Sequence, residues 1–123
     1  MDYIAFFNKL KDVDPRIDFQ MVENSKILDG GNIPAFYSVI NPINVEFEYN
    51  DGIIRLEPIE NFDNLKKEYD YVQTDCIFAS CNGEPIYLKD KKVFTCIRGS
   101  KRIIEEEIAS SINMLLESVY KTL

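Results

Sequence analysis

The stretch that most restricts the fold runs from Asp75 to Ile97, DCIFASCNGEPIYLKDKKVFTCI. Cys76 to Cys81 is a short apolar run rich in strand-forming residues. Asn82-Gly83-Glu84-Pro85 breaks it, because Gly83 can take a positive φ and Pro85 has no N–H to give to a ladder. Ile86-Tyr87-Leu88 resumes an extended chain, Asp90-Lys91-Lys92 turns it again, and Val93 to Ile97 makes another strand. Strands joined this tightly pair as antiparallel neighbours, since a parallel return needs a crossover of about a dozen residues or more.

A second hairpin precedes it. Val45, Phe47 and Tyr49 alternate with Glu46, Glu48 and Asn50, the pattern of a strand with one face in solvent. Asn50-Asp51-Gly52 is a hairpin turn, and Ile53 to Glu57 returns as the partner. Upstream, Met1 to about Leu28 reads as helical. Ile4, Phe7 and Leu10 give one apolar stripe, and Asp14-Pro15 starts a second helix with Asp14 as N-cap and Phe19 and Val22 facing inward. Asp29-Gly30-Gly31-Asn32 is a loop. Pro34 opens a short helix to about Ile40, stopped by Asn41-Pro42. Glu60 to Tyr69 fits a short helix or a long loop. After the central strands, Gly99 and Ser100 start a helix whose stripe is Ile104, Ile108, Ile112, Leu115, Val119 and Leu123. The expectation is a single α+β domain over residues 1–123: a mainly antiparallel sheet with N-terminal helices and a long C-terminal helix packed over it.

The chain is long enough for one domain with its own core, and 46% hydrophobic residues with 15 Phe and Tyr side chains argue against disorder. No apolar run approaches the roughly 20 residues of a membrane span, and Met1-Asp2-Tyr3 lacks the basic start of a signal peptide. The expected location is the cytoplasm, with no membrane partner. Cys76, Cys81 and Cys96 are an odd set for a secreted disulfide framework and read as buried thiols, a redox pair on facing strands being the lesser alternative. With no His in the chain and no CxxC, neither a metal nor a cofactor is expected.

The catalytic inventory is thin: no His-based pair, no Walker loop and no GxGxxG. Charge is more informative. From Glu46 to Asp75 nine acids face Arg55, Lys66 and Lys67, whereas from Lys89 to Arg102 six basic residues face Asp90. Such runs often mark nothing more than solvated faces. An acidic surface would also repel nucleic acid and speed encounter with a basic protein. The residues chosen for it, by charge and expected exposure, are Glu46, Glu48, Asp51, Glu57, Glu60, Asp63, Asp70 and Asp75. Tyr69 and Tyr71 either add to that face or pack on the sheet edge.

Ile33-Pro34-Ala35-Phe36-Tyr37, the strand with Phe78, the turn Gly83-Glu84-Pro85-Ile86 and the later Ile108-Ala109-Ser110-Ser111 follow one another in an order that resembles the SUKH superfamily, named partly for a yeast cell-wall-synthesis regulator. The resemblance covers roughly Ile33 to Leu116. It gives Pro34, Phe78, Gly83, Glu84 and Pro85 structural roles. This chain has neither the His nor the Trp that many relatives carry before the last helix. The resemblance implies a non-catalytic immunity protein that binds a cognate toxin domain, and the acidic surface adds the expectation that this domain is basic, a nuclease being one type. The alternative is a regulatory scaffold for an endogenous protein.

Overall fold

The structure is a computed structural model and describes residues 1–23, 32–98 and 102–123. Among these residues seven antiparallel strands follow one another in chain order as a meander: β1 Asp18–Met21, β2 Ile40–Tyr49, β3 Gly52–Leu56, β4 Cys76–Cys81, β5 Glu84–Lys89, β6 Lys92–Arg98 and β7 Ile103–Ala109. Three α-helices accompany them: α1 Tyr3–Val13, α2 Phe62–Glu68 and α3 Ile112–Tyr120. The α+β class and the antiparallel sheet with a helix at each end are as the sequence predicts. None of the described helices is long and apolar enough to cross a membrane.

Three tight turns set the register. Asn50-Asp51, Asn82-Gly83 and Asp90-Lys91 all have positive φ, between 46° and 84°. Two consecutive left-handed residues match the twist of the flanking strands. Gly52 lies just past the first turn, as the first residue of β3, and is there for space. A Cβ on it would meet Cys81 Sγ at 2.8 Å.

The sheet is covered on both faces. On one, Phe6, Phe7 and Leu10 of α1 and Leu115, Leu116 and Val119 of α3 pack with Val45, Phe47, Ile54, Leu56, Phe78 and Ile86. Each such side chain contributes about 1.5–3 kcal/mol by leaving water. Tyr3 ties the two helices by donating to Asn113 Oδ1 at 2.6 Å. On the other face, Leu65 and Tyr69 of the α2 segment cover Ile77, Tyr87 and Cys96. Tyr49 of β2 donates to the Ile108 carbonyl of β7 at 3.0 Å. The sheet therefore curls enough to bring distant strands within one side chain of each other.

Three sequence expectations need correction, and one left open is decided. Residues 14–21 are not helical: Asp14 is the C-cap of α1, its N–H bonding to the Leu10 carbonyl, and its own carbonyl accepts from Ile17 N at 3.0 Å. Asp at the first and Pro at the second position of a β-turn is as good a signal as Asp-Pro at a helix start, and here the turn wins. The chain then enters β1; Val22 lies just beyond it, and the remainder of that expected helix, with Asp29-Gly30-Gly31, falls outside the described residues. The segment from Pro34 shortens to a 3₁₀ turn, Ala35–Ser38, and Asn41-Pro42 does not stop it but continues into β2. Pro42 is tolerated because β1 pairs only with Ile40–Asn44 and β3 only with Val45–Tyr49, so no second neighbour needs its N–H. Glu60 to Tyr69 resolves as a 3₁₀ turn running into α2.

The largest correction is at the C-terminal end. Ile103–Ala109 is strand β7, and α3 begins only at Ile112, with Ser111 Oγ accepting from Met114 N at 3.1 Å as its N-cap. Gly99 and Ser100 lie outside the described residues. The Ile104–Ile108–Ile112 spacing suits a helix, but pairing with β6 holds the strand, and lysines on two strands add to it: Lys89 of β5 meets Glu105 at 3.0 Å and Lys92 of β6 meets Glu107 at 3.5 Å.

Candidate protein-binding surface

β2 is half-buried by its own alternation. Val45 and Phe47 enter the core, and Glu46 and Glu48 stay exposed beside Arg55 and Ile53 of β3. Because β1 diverges after Asn44, the second half of β2 has, among the described residues, a strand on one side only. On the other side, against the ends of α1 and α3, lies a groove made of three adjoining hollows. The central one, of about 420 Å³, is lined by Leu10, Val13, Ile17, Phe47, Val119 and Leu123, with Glu46, Glu48 and Ile53 at its border. It shares Glu48, Ile53, Val119 and Thr122 with a wider hollow of about 720 Å³ at the Asn50-Asp51 turn. At the opposite end it shares Asp14, Arg16, Ile17 and Glu46 with one of about 200 Å³ that reaches Asn44.

The groove has an apolar floor and an acidic border. Asp14, Glu46, Glu48 and Asp51 line it against Arg16. Arg16 is engaged by Asp14 at 2.9 Å; the hydrogen bonds and charge of that guanidinium hold the Asp14 carboxyl below its usual value, and Asp14 raises Arg16 in return. Arg55 lies 3.0 Å from Glu46 and also donates to Asn44 Oδ1 at 2.9 Å. Glu48 and Asp51 are exposed and have no ion pair among the described residues.

Of the eight acids chosen from sequence, Glu46, Glu48 and Asp51 thus meet on one groove. The other five sit on the β3–β4 connection. Glu57 is half-buried, against the exposure expected of it, and accepts from Asn61 Nδ2 at 3.0 Å. Both Glu60 oxygens accept from the buried Asn41 side chain, at 2.9 and 3.0 Å. Asp75 accepts from Asp90 N at 3.3 Å. Asp63, in the first turn of α2, and Asp70 are exposed. Tyr69 is buried and donates to the Gly83 carbonyl at 3.1 Å, so for this residue the packing alternative holds. Tyr71 is half-buried and meets the Tyr69 ring edge to face.

The five residues to which the resemblance gives structural roles lie at the following places in the fold. Pro34 is the buried cap of the 3₁₀ turn, Phe78 is fully buried, and Gly83 has φ 84°. Glu84 opens β5, and the Pro85 carbonyl accepts from Thr95 Oγ1 at 3.0 Å. Sequence reasoning missed Asp14 and Arg16, which it had put in a helix, and Val13 and Ile53, whose exposed apolar side chains border the groove. The Gly52-Ile53-Ile54-Arg55-Leu56 alternation held the signal for Ile53: with Ile54 and Leu56 inside, Ile53 must point out.

The titratable groups elsewhere are tuned by burial. Cys76 is pushed up to about 12 by burial and by neighbouring Asp75, and burial also raises Cys81 and Cys96. All three thiols are free; Cys76 and Cys96 belong to the cores on opposite faces of the sheet. Burial raises Tyr37 and Tyr87 as well. The Tyr87 hydroxyl is buried with no hydrogen-bond partner among the described residues, and the charge of Glu105 adds to the rise. No cluster of metal-ligating side chains occurs among the described residues. Comparison with family models, with curated proteins and with solved structures finds no match to this chain.

Proposed function

We propose that this chain is a protein-binding module of the SUKH type, an immunity protein that covers a basic toxin domain and catalyses no reaction. The observation that carries the reading is the groove along β2, where Glu48 and Asp51 have no counter-ion among the described residues above an apolar floor. Apolar area with like-signed charge around it suits a protein surface of opposite sign, because the charges speed encounter and the floor holds the complex. The basic run that follows has work within the molecule, since Lys89 and Lys92 are paired with Glu105 and Glu107. Raised thiol pKa values work against a cysteine nucleophile, which reacts as the thiolate. The 3₁₀ turn at Pro34, β4, the Gly83 turn and β5 come in the order behind the resemblance, whereas the Ile108-Ala109-Ser110-Ser111 pattern that it puts on the last helix lies at the end of β7 and ahead of α3.

The test is capture at low salt from the native lysate with the tagged full chain, followed by co-expression with whatever is bound. The reading expects a basic domain that stops growth when produced alone and is silenced by this chain. Capture of endogenous regulators that do not impair growth would replace it with the scaffold alternative.

A further inference from the structure

Resting on that reading of the groove as a protein-binding site, we propose its mode of recognition: the free edge of β2 accepts an extended strand of the partner in antiparallel pairing, with apolar residues facing the groove floor alternating with basic residues facing Glu46 and Glu48. The β2–β3 hairpin closes on Tyr49 and Gly52 through a two-residue turn with positive φ at both Asn50 and Asp51. In such a hairpin the closing pair is hydrogen-bonded and the pairs then alternate. The N–H and C=O of Val45, Phe47 and Tyr49 therefore point to β3, and those of Glu46 and Glu48 point away from it. Among the described residues no other backbone group bonds to that outward side.

A strand laid there meets a different environment on each face. Residues opposite Glu46 and Glu48 share the face of those carboxylates. The residue opposite Phe47 falls on the helix-covered side, above Leu10, Val13, Ile17 and Val119. Main-chain bonds supply affinity and alternate side chains supply selectivity, as in other strand-addition complexes. Charge selects the occupant. A second copy paired edge to edge would set the Glu46 and Glu48 carboxylates against each other, a device that ordinarily keeps edges apart, whereas a basic strand is attracted. The other long edge, β7, differs because its Glu105 and Glu107 already have lysine partners.

The probe is a capped heptapeptide alternating lysine and valine, with lysine at both ends, titrated into the full chain and followed by amide NMR. Two controls accompany it: the block isomer with all lysines before all valines, and two N-methylated forms. The proposal expects shifts along Glu46–Ile53, slowed amide exchange at Glu46 and Glu48, and weak binding by the block isomer. N-methylation at the lysines, which face β2, weakens binding about tenfold or more, as loss of backbone hydrogen bonds implies. N-methylation at the valines, which face away, leaves it within about twofold. Equal binding by the alternating and block peptides would reduce the effect to net charge and overturn strand addition. So would shifts mapping elsewhere, no binding at millimolar peptide, or Glu46 and Glu48 amides already protected in a dimer of the free protein. None of these outcomes depends on identifying a toxin, so strand addition can fail while the immunity reading stands.

Discussion

Replacing Asn41 with leucine, which keeps the branched outline but none of the polar atoms, should destabilise the fold strongly. Asn41 is the buried polar side chain that joins the start of β2 to the segment before α2: its Nδ2 donates to both Glu60 oxygens, and its Oδ1 accepts from Ile59 N at 2.9 Å. Leucine removes all of these bonds. A bond to a charged group is worth about 1.5–3 kcal/mol. Glu60 is exposed and can rehydrate, so about 1 kcal/mol of that is expected here. The Ile59 N–H, left facing a methyl group, costs about 1–3 kcal/mol. The expected total is about 2–4 kcal/mol, read in urea unfolding as a midpoint shift of about 1–2 M. Asn41→Asp keeps the acceptor for Ile59 but sets two carboxylates together. It should be the worse variant at neutral pH and recover as acid lets the pair share a proton. A loss below about 1 kcal/mol for Asn41→Leu, or no recovery of Asn41→Asp in acid, would refute the argument that this network organises the junction.

Two further outcomes follow from the packing and the charges. Gly52→Ala should cost about 1–3 kcal/mol by overpacking against Cys81 Sγ at 2.8 Å; adding Cys81→Ala should restore most of the loss in thermal unfolding, and failure to do so would move the strain elsewhere. Glu105 is held below its ordinary value of 4.5, chiefly by its hydrogen bond to Lys89. A carboxylate depressed in the native state stabilises above its unfolded pKa, and that contribution is lost as pH falls through the native value. Between about pH 5 and 3 the wild type should therefore lose more stability than Glu105→Gln, by less than about 1 kcal/mol given the solvent around the pair; parallel curves would contradict the assignment.

The parts of the fold legible in the sequence were those held by local rules. The Val45–Leu56 hairpin announces itself by alternation around Asn50-Asp51, and the central strands by apolar runs separated by Asn82-Gly83 and Asp90-Lys91. The parts that escaped depend on tertiary pairing. β1 is a four-residue edge strand with no alternation of its own, entered through an Asp-Pro pair that two structures can use. In β7 the isoleucines repeat at helical spacing; the competing signal, Glu105 and Glu107 set two apart to match Lys89 and Lys92, appears only once β5 and β6 are placed. The site divides in the same way. Glu46, Glu48 and Asp51 could be chosen from the pattern of one hairpin. The groove beside them could not, because its floor comes from the ends of α1 and α3, far away in the chain.

The central claim, that the acidic groove recruits a basic protein, is tested most directly by association kinetics with the captured partner over a range of salt. The wild type is compared with a folded Glu46→Lys/Glu48→Lys/Asp51→Lys variant. The account predicts an association rate at least about tenfold lower for the variant at low salt and a flattened or inverted salt dependence. Identical rates and salt slopes for the two proteins would contradict it.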